Sequence, residues 1–179
     1  VGSEPPEVLG ERNGLPAGQV AAMMQDRDGK FWIVVAGRGL YHEDNGRFRL
    51  WTAANGAGPA PWRWADGRYG RVLLPDADGS LWVASYGYGL FHLAGDEIRA
   101  WLYQADGLPS NHILDLQEDA AGNLWASCEN GIFSYPKKAL LDYQGEGSQR
   151  PIPFRLTRAE GLPFKVCSGG GQPTGAKSP

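Results

Sequence analysis

An Asp, a Gly three residues on and a Trp three residues after that occur together three times in this chain. "QDRDGKFW" holds Asp26, Gly29 and Trp32; "PDADGSLW" holds Asp76, Gly79 and Trp82; "EDAAGNLW" holds Asp119, Gly122 and Trp125. Fifty residues separate Trp32 from Trp82, and 43 separate Trp82 from Trp125. Gly39-Leu40, Gly89-Leu90 and Gly131-Ile132 follow at a nearly constant offset. Self-similarity at this period marks a repeat architecture, in which each unit buries its faces only against its neighbours.

Each unit reads as four short strands. The first is apolar and ends at the Asp ("VAAMMQD", "RVLLPD", "ILDLQED"). A turn follows, where Asp bonds nearby backbone N–H groups and Gly supplies positive φ. The second strand carries the Trp ("KFWIVVA", "SLWVAS", "NLWAS"), and a Gly-containing tip leads to the third ("GLYHED", "GLFHL", "GIFSY"). The fourth lies further along ("RFRLWT", "EIRAWLY", "PFRLTR"). Four-stranded antiparallel meanders at about 45 residues predict an all-β fold of β-propeller blades. The blades are expected at about residues 10–55, 56–105 and 106–157, with a cut fourth at 158–179. That is about three and a half blades of an incomplete ring, short of the usual four to eight or so. Gly14-Leu15-Pro16, Gly107-Leu108-Pro109 and Gly161-Leu162-Pro163 recur as links between blades, with rigidity assigned to the Pro.

The stretch "DGLPSN" (Asp106 to Asn111), followed by "EDAAGNLWASCENGIFSY" (Glu118 to Tyr135), closely resembles the two-component regulator propeller repeat. The resemblance extends over about residues 10–175, with the third copy the cleanest. The first copy has "NGLPAG", and the second carries "PAPWRWADG" in place of a Gly-Leu-Pro link. "YPKKALLDYQGEG" and "RAEGLPFKVCSGGGQPTGAKSP" are similar to the closing part of such propellers, where another Asp-Gly-x-Leu-Trp turn is due. Pro179 precedes that turn, so the expectation is a piece of a longer protein cut within a blade. The resemblance implies a periplasmic or extracytoplasmic sensor region of a bacterial signalling protein. In the family such regions precede a β-sandwich, a membrane helix and a histidine kinase or diguanylate cyclase output.

Composition narrows the partners. The chain has 179 residues and a net charge of −3, with no basic run or stripe, which argues against nucleic acid. No apolar run approaches the roughly 20 residues of a membrane helix, so no membrane contact is expected in this segment. The first residue is Val and no signal-peptide pattern is present, which reads as a mature, trimmed or partial chain. Cys128 and Cys167 are too few for a disulfide framework, and Cys128 falls where a small strand residue recurs, as a packed thiol.

Residues that could carry chemistry mostly repeat with the scaffold. Asp26 with Asp28 and Asp76 with Asp78 could suggest calcium, but Ala121 breaks the third copy and no closing Glu follows, so a structural turn is expected and no metal. His42 and His92 share one repeat position, as packing or strand-face residues. Trp32, Trp82 and Trp125 recur in register as core or inter-blade packing. "CSGGGQPTG" lacks the Lys-Ser/Thr ending of a phosphate loop and reads as a turn. No cofactor is expected.

The positions that vary between copies are the candidates for binding. In a propeller the segment leading into each blade and the tip between its second and third strands share one face, where loops on a rigid scaffold build sites. The tips hold Arg38, Tyr86, Tyr88, Glu129 and Asn130; the lead-ins hold Trp62, Arg63, Trp64, Asn111 and His112. Exposed Trp, Tyr and Arg favour binding. The alternative for Trp62 and Trp64 is that they cap a blade edge. These residues suit a polar small molecule or glycan fragment, and the segment is read as a non-catalytic ligand-binding sensor whose other partners are the remaining blades. Two rivals stay open: part of a secreted propeller enzyme of lyase or glycosidase type, and a protein-interaction scaffold.

Overall fold

The computed structural model describes residues 8–54, 70–143, 145, 148–163 and 167, and every structural statement below concerns these. The first sheet is β1 (Val20–Gln25), β2 (Phe31–Val35), β3 (Gly39–Asp44) and β4 (Arg47–Leu50), paired in chain order. The second is β5 (Gly70–Pro75), β6 (Leu81–Ser85), β7 (Leu90–Ala94) and β8 (Glu97–Leu102). The third is β9 (Ile113–Glu118), β10 (Asn123–Cys128), β11 (Gly131–Pro136) and β12 (Phe154–Leu156). All pairings are antiparallel. The first strands β1, β5 and β9 lie beside one another, as the inner strands of successive propeller blades do. The sheets do not close, so the blades form an incomplete ring.

Alternation along the strands builds a core on each side of the middle blade. Leu81, Val83, Phe91 and Leu93 face the first blade and pack with Ala22, Val34, Leu40 and Trp51. Trp82, Ala84, Leu90 and Leu102 face the third and pack with Ile113, Leu124, Ala126, Phe133 and Tyr135. All five β6 residues are therefore buried, although the strand faces two neighbours. Each buried Leu, Val or Phe contributes roughly 1.5–3 kcal/mol of transfer free energy. On the outer face of the first blade Val20 and Met23 are exposed, and on the third Phe154 is.

Two local features differ from the sequence expectation. A short helix, α1 (Lys137–Leu141), stands between β11 and β12, where only strands were expected. Its residues are good helix formers, and it seats the fully buried Leu140 in the core between the second and third blades. The links also carry a turn at their Gly, which the sequence reading does not describe. A 3-10 turn (Glu11–Asn13, Gln104–Asp106, Arg158–Glu160) ends in Gly14, Gly107 or Gly161 at φ 84°, 111° and 96°. The following Leu N–H then bonds back to Gly10, Tyr103 or Thr157 C=O. The side chains of Asn13, Asp106 and Glu160 accept the N–H that opens each turn, at 3.3, 3.1 and 2.8 Å. Among the described residues no helix is long and apolar enough to cross a membrane.

Candidate functional site

The two ends of the blades carry different chemistry. At the hairpin end the Asp and Trp of each repeat are joined directly: Asp26, Asp76 and Asp119 Oδ2 accept the indole N–H of Trp32, Trp82 and Trp125 at 2.9, 2.9 and 2.8 Å. The sequence reading assigned the Trp to packing and the Asp to the turn, and missed this bond. The constant Asp-to-Trp spacing was its signal. In the first and third copies Asp Oδ1 also accepts two turn N–H groups. The side-chain amide and backbone N–H of Asn123, with the Trp125 N–H, hold the Asp119 carboxyl well below its ordinary range.

The middle copy is wired differently. Asp76 is buried and meets the Lys137 ammonium of the third blade at 2.7 Å, and Lys137 also reaches Glu118 at 2.7 Å. Burial raises the Asp76 pKa, but the bonds from Lys137, Trp82 and the Ala77 N–H outweigh it and lower the value. Asp78 pairs with Ser80, whose Oγ also lies 2.7 Å from His92 Nε2. His92 packs against Trp82 at a ring separation of 4.5 Å, its ring tilted by 40°, and is 4% exposed. Its Nδ1 is buried without a hydrogen-bond partner. His42 lies at the equivalent place, 5.3 Å from Trp32. Both His are packing residues of the Trp face, and burial lowers the pKa of each. Among the described residues no group of three metal-ligating side chains is assembled.

At the opposite end Cys128 pairs with both Ile113 and Gly131, so the lead-in and the tip of the third blade meet there. His112 Nδ1 lies 3.1 Å from Glu129 Oε1, and Ser110 Oγ–H donates to the same oxygen at 3.1 Å. These bonds, with that from His112 the larger, lower the Glu129 pKa and keep the carboxylate ionised. The second blade joins the group through Tyr86, which forms a β-bridge with His112 and packs against its ring at 4.3 Å. Ser110 is 2% exposed and also accepts the His112 N–H at 2.9 Å. It was absent from the sequence candidates, because nothing distinguishes it from an ordinary turn serine.

The other candidates fall around this group. Asn130 is exposed, and its amide donates to Pro109 C=O at 3.2 Å. Asn111 serves the scaffold: its C=O accepts from Gly87 and Gly89 N–H at 2.9 and 3.1 Å, and its Oδ1 accepts from Gln104 N–H at 2.6 Å. Tyr88 is held by its backbone, its N–H on Ser85 Oγ at 2.9 Å and its C=O on Trp101 Nε1–H at 2.8 Å. Arg38 is exposed on the tip of the first blade, where its backbone N–H donates to Val35 C=O at 2.9 Å. Trp62, Arg63 and Trp64 lie outside the described residues. The Cys128 thiol is buried at 1% exposure, and burial raises its pKa, which fits a packed thiol.

Comparison with known proteins bears on the fold. Residues 107–130, the link and first hairpin of the third blade, match the two component regulator propeller family. No curated protein matches the chain significantly. Among solved structures, the extracellular domain of a hybrid two component system protein of B. thetaiotaomicron superposes with a TM-score of 0.55, at 21% identity over 82% of this chain. The extracellular domain of a one component system protein of B. thetaiotaomicron gives 0.54, at 17% identity over 68% of this chain. This chain spans only 18% and 17% of those two structures.

Proposed function

Taking the chain as a run of two component regulator propeller blades, we propose that it is the ligand-receiving part of an extracytoplasmic sensor in a bacterial signal-transduction protein. The observation that carries this reading is the convergence of Tyr86, Ser110, His112 and Glu129 at one end of the second and third blades. These residues come from the tip of one blade, and from the lead-in and tip of the next. Their positions are set by the scaffold, and their identities are what differs between repeats. The ligand is a hydroxyl-rich small molecule, such as a glycan fragment. Glu129 accepts from its hydroxyls, the His112 ring edge supplies a second polar contact, and Tyr86 and Tyr88 give apolar walls. Binding across two blades favours one arrangement of the sensor, and a downstream histidine kinase or diguanylate cyclase reads that preference. The solved relatives, being extracellular domains of signalling systems, support this placement.

The chemistry of the cluster supports binding over catalysis. Ser110 is 2% exposed and its hydroxyl is committed to the Glu129 carboxylate, so it braces the group rather than presenting a nucleophile to a bound molecule.

The test uses the full-length protein. A panel of neutral and acidic oligosaccharides is screened by thermal shift, and output activity is followed with the ligand found. The expected result is a rise in Tm and an output response, both lost in His112→Ala and Glu129→Gln. Unchanged responses in both variants overturn the assignment. Turnover of an oligosaccharide favours the enzyme reading, and binding of only a protein partner favours the scaffold reading.

A further inference from the structure

A second concavity adjoins the tip of the third blade. It is a cleft of about 130 Å³ lined by Pro109, Cys128, Asn130, Gly131, Ile132, Phe133, Arg155 and Thr157. It lies between β11, β12 and the link that leads into the blade. Its walls are fixed: Asn130 is tied to Pro109, and Gly131 presses so closely on β12 that a Cβ would sit 2.6 Å from Leu156 C=O. Its floor is uncharged, made of Phe133 and the buried Cys128 thiol.

The charge in this cleft is one-sided. Arg155 is the cross-strand partner of Phe133, so its guanidinium stands on the same face as that floor. Among the described residues Arg155 is exposed and makes no ion pair. The carboxylates nearby are engaged elsewhere. Glu129 is held by Ser110 and His112, and Glu160 by the N–H and Oγ–H of Thr157 at 2.8 and 2.6 Å. A planar guanidinium beside an apolar floor, with an amide at the rim, matches a planar oxyanion. It can bind such a group with two parallel N–H···O bonds in a partly desolvated setting.

We propose that this cleft is an anion subsite, with Arg155 as its anchor, for a carboxylate group carried on a small sugar-sized ring. It adjoins the Tyr86–His112–Glu129 group at the tip of the third blade and is tested apart from it. Titrations of the full-length protein by calorimetry use glucuronate, glucose and inorganic sulfate as probes. The expected result is that glucuronate binds and glucose does not, with affinity that weakens as salt is added. Arg155→Gln then loses about tenfold or more, the scale of one charge-assisted hydrogen bond. Arg155→Lys keeps the charge without the fork and retains part of the affinity. His112→Ala leaves glucuronate binding unchanged even if it abolishes the response at the neighbouring group. The proposal is overturned by glucose binding as tight as glucuronate binding and equally weakened in Arg155→Gln, by an unchanged glucuronate affinity in Arg155→Gln, by loss of glucuronate binding in His112→Ala, or by no binding of glucuronate at all. Binding of sulfate without glucuronate means an adventitious ion only and also overturns it.

Discussion

The Asp76 carboxylate binds the Lys137 ammonium at 2.7 Å while its other oxygen accepts the Trp82 indole N–H at 2.9 Å. One buried side chain thus closes a hairpin in the second blade and ties it to the third. In the first copy the same Asp binds its own turn and Trp32, and a hydrogen bond from this hairpin to the second blade comes instead from Arg27, which donates to the Ala77 C=O at 3.0 Å. Removing one partner of a buried pair leaves the other uncompensated, although Lys137 keeps Glu118 here. Asp76→Asn is expected to destabilise the propeller by about 1–3 kcal/mol. Asp26→Asn, at an exposed turn, is expected to lower it by about 1 kcal/mol or less. Denaturant melts of the full-length protein check the order. A double-mutant cycle with Lys137→Met isolates the coupling.

The three repeated Trp residues are not equivalent. Trp82 is fully buried between blades, whereas Trp32 and Trp125 are partly covered. Replacing each with Phe removes the same indole bond to Asp, but only the Trp82 variant also opens a void in a closed core. Trp82→Phe is expected to lose about 2–3 kcal/mol and Trp32→Phe about 1 kcal/mol, read as shifts in the denaturation midpoint.

Much of this was legible in the sequence, because each blade states its strands twice: once in its own apolar pattern and again by analogy with the other copies. The strand order and the turns at Gly29, Gly79 and Gly122 follow from that redundancy; it put His112 and Glu129 on one face, as a lead-in and a tip, but not within 3.1 Å of each other. What fell outside it was written only once. Helix α1 has no counterpart in the other blades. Lys137 finds Asp76 across a chain separation of 61 residues, which no local pattern reports. Ser110 and Arg155 are ordinary surface residue types until the fold places them beside Glu129 and the cleft.

His92 makes the stability of the middle blade dependent on pH. Burial lowers its native pKa below the ordinary 6.5. Asp76 and Asp78 face it and favour the proton; Lys137 and Arg99 oppose it. The unfolded chain therefore binds more protons in the window just below about pH 6.5, so stability rises with pH there. It is full above that window and is lost as pH falls into it. Melts across this range are expected to show that decline in the native protein and a flatter profile in His92→Gln. An identical profile in the variant counts against a role for this side chain.

Two glycines separate strain from crowding. At Gly107 an added Cβ meets only Pro151 C=O at 3.5 Å, so Gly107→Ala suffers from its φ of 111° alone, about 1–3 kcal/mol. At Gly131 the φ is 119° and the Leu156 C=O would be 2.6 Å away. Gly131→Ala is therefore expected to lose more than Gly107→Ala, and to splay β11 from β12. Thermal melts order the two, and hydrogen exchange at residues 131–133 reports the splaying.

The account rests most heavily on the tip end of the second and third blades being the ligand face. The direct measurement is hydrogen–deuterium exchange of the full-length protein, with and without the oligosaccharide that raises its Tm most. The predicted result is protection at residues 86–88, 109–112 and 128–131, with the hairpins at 76–80 and 119–123 unchanged. Protection confined to those hairpins, or absent from the tips while ligand is bound, would contradict it.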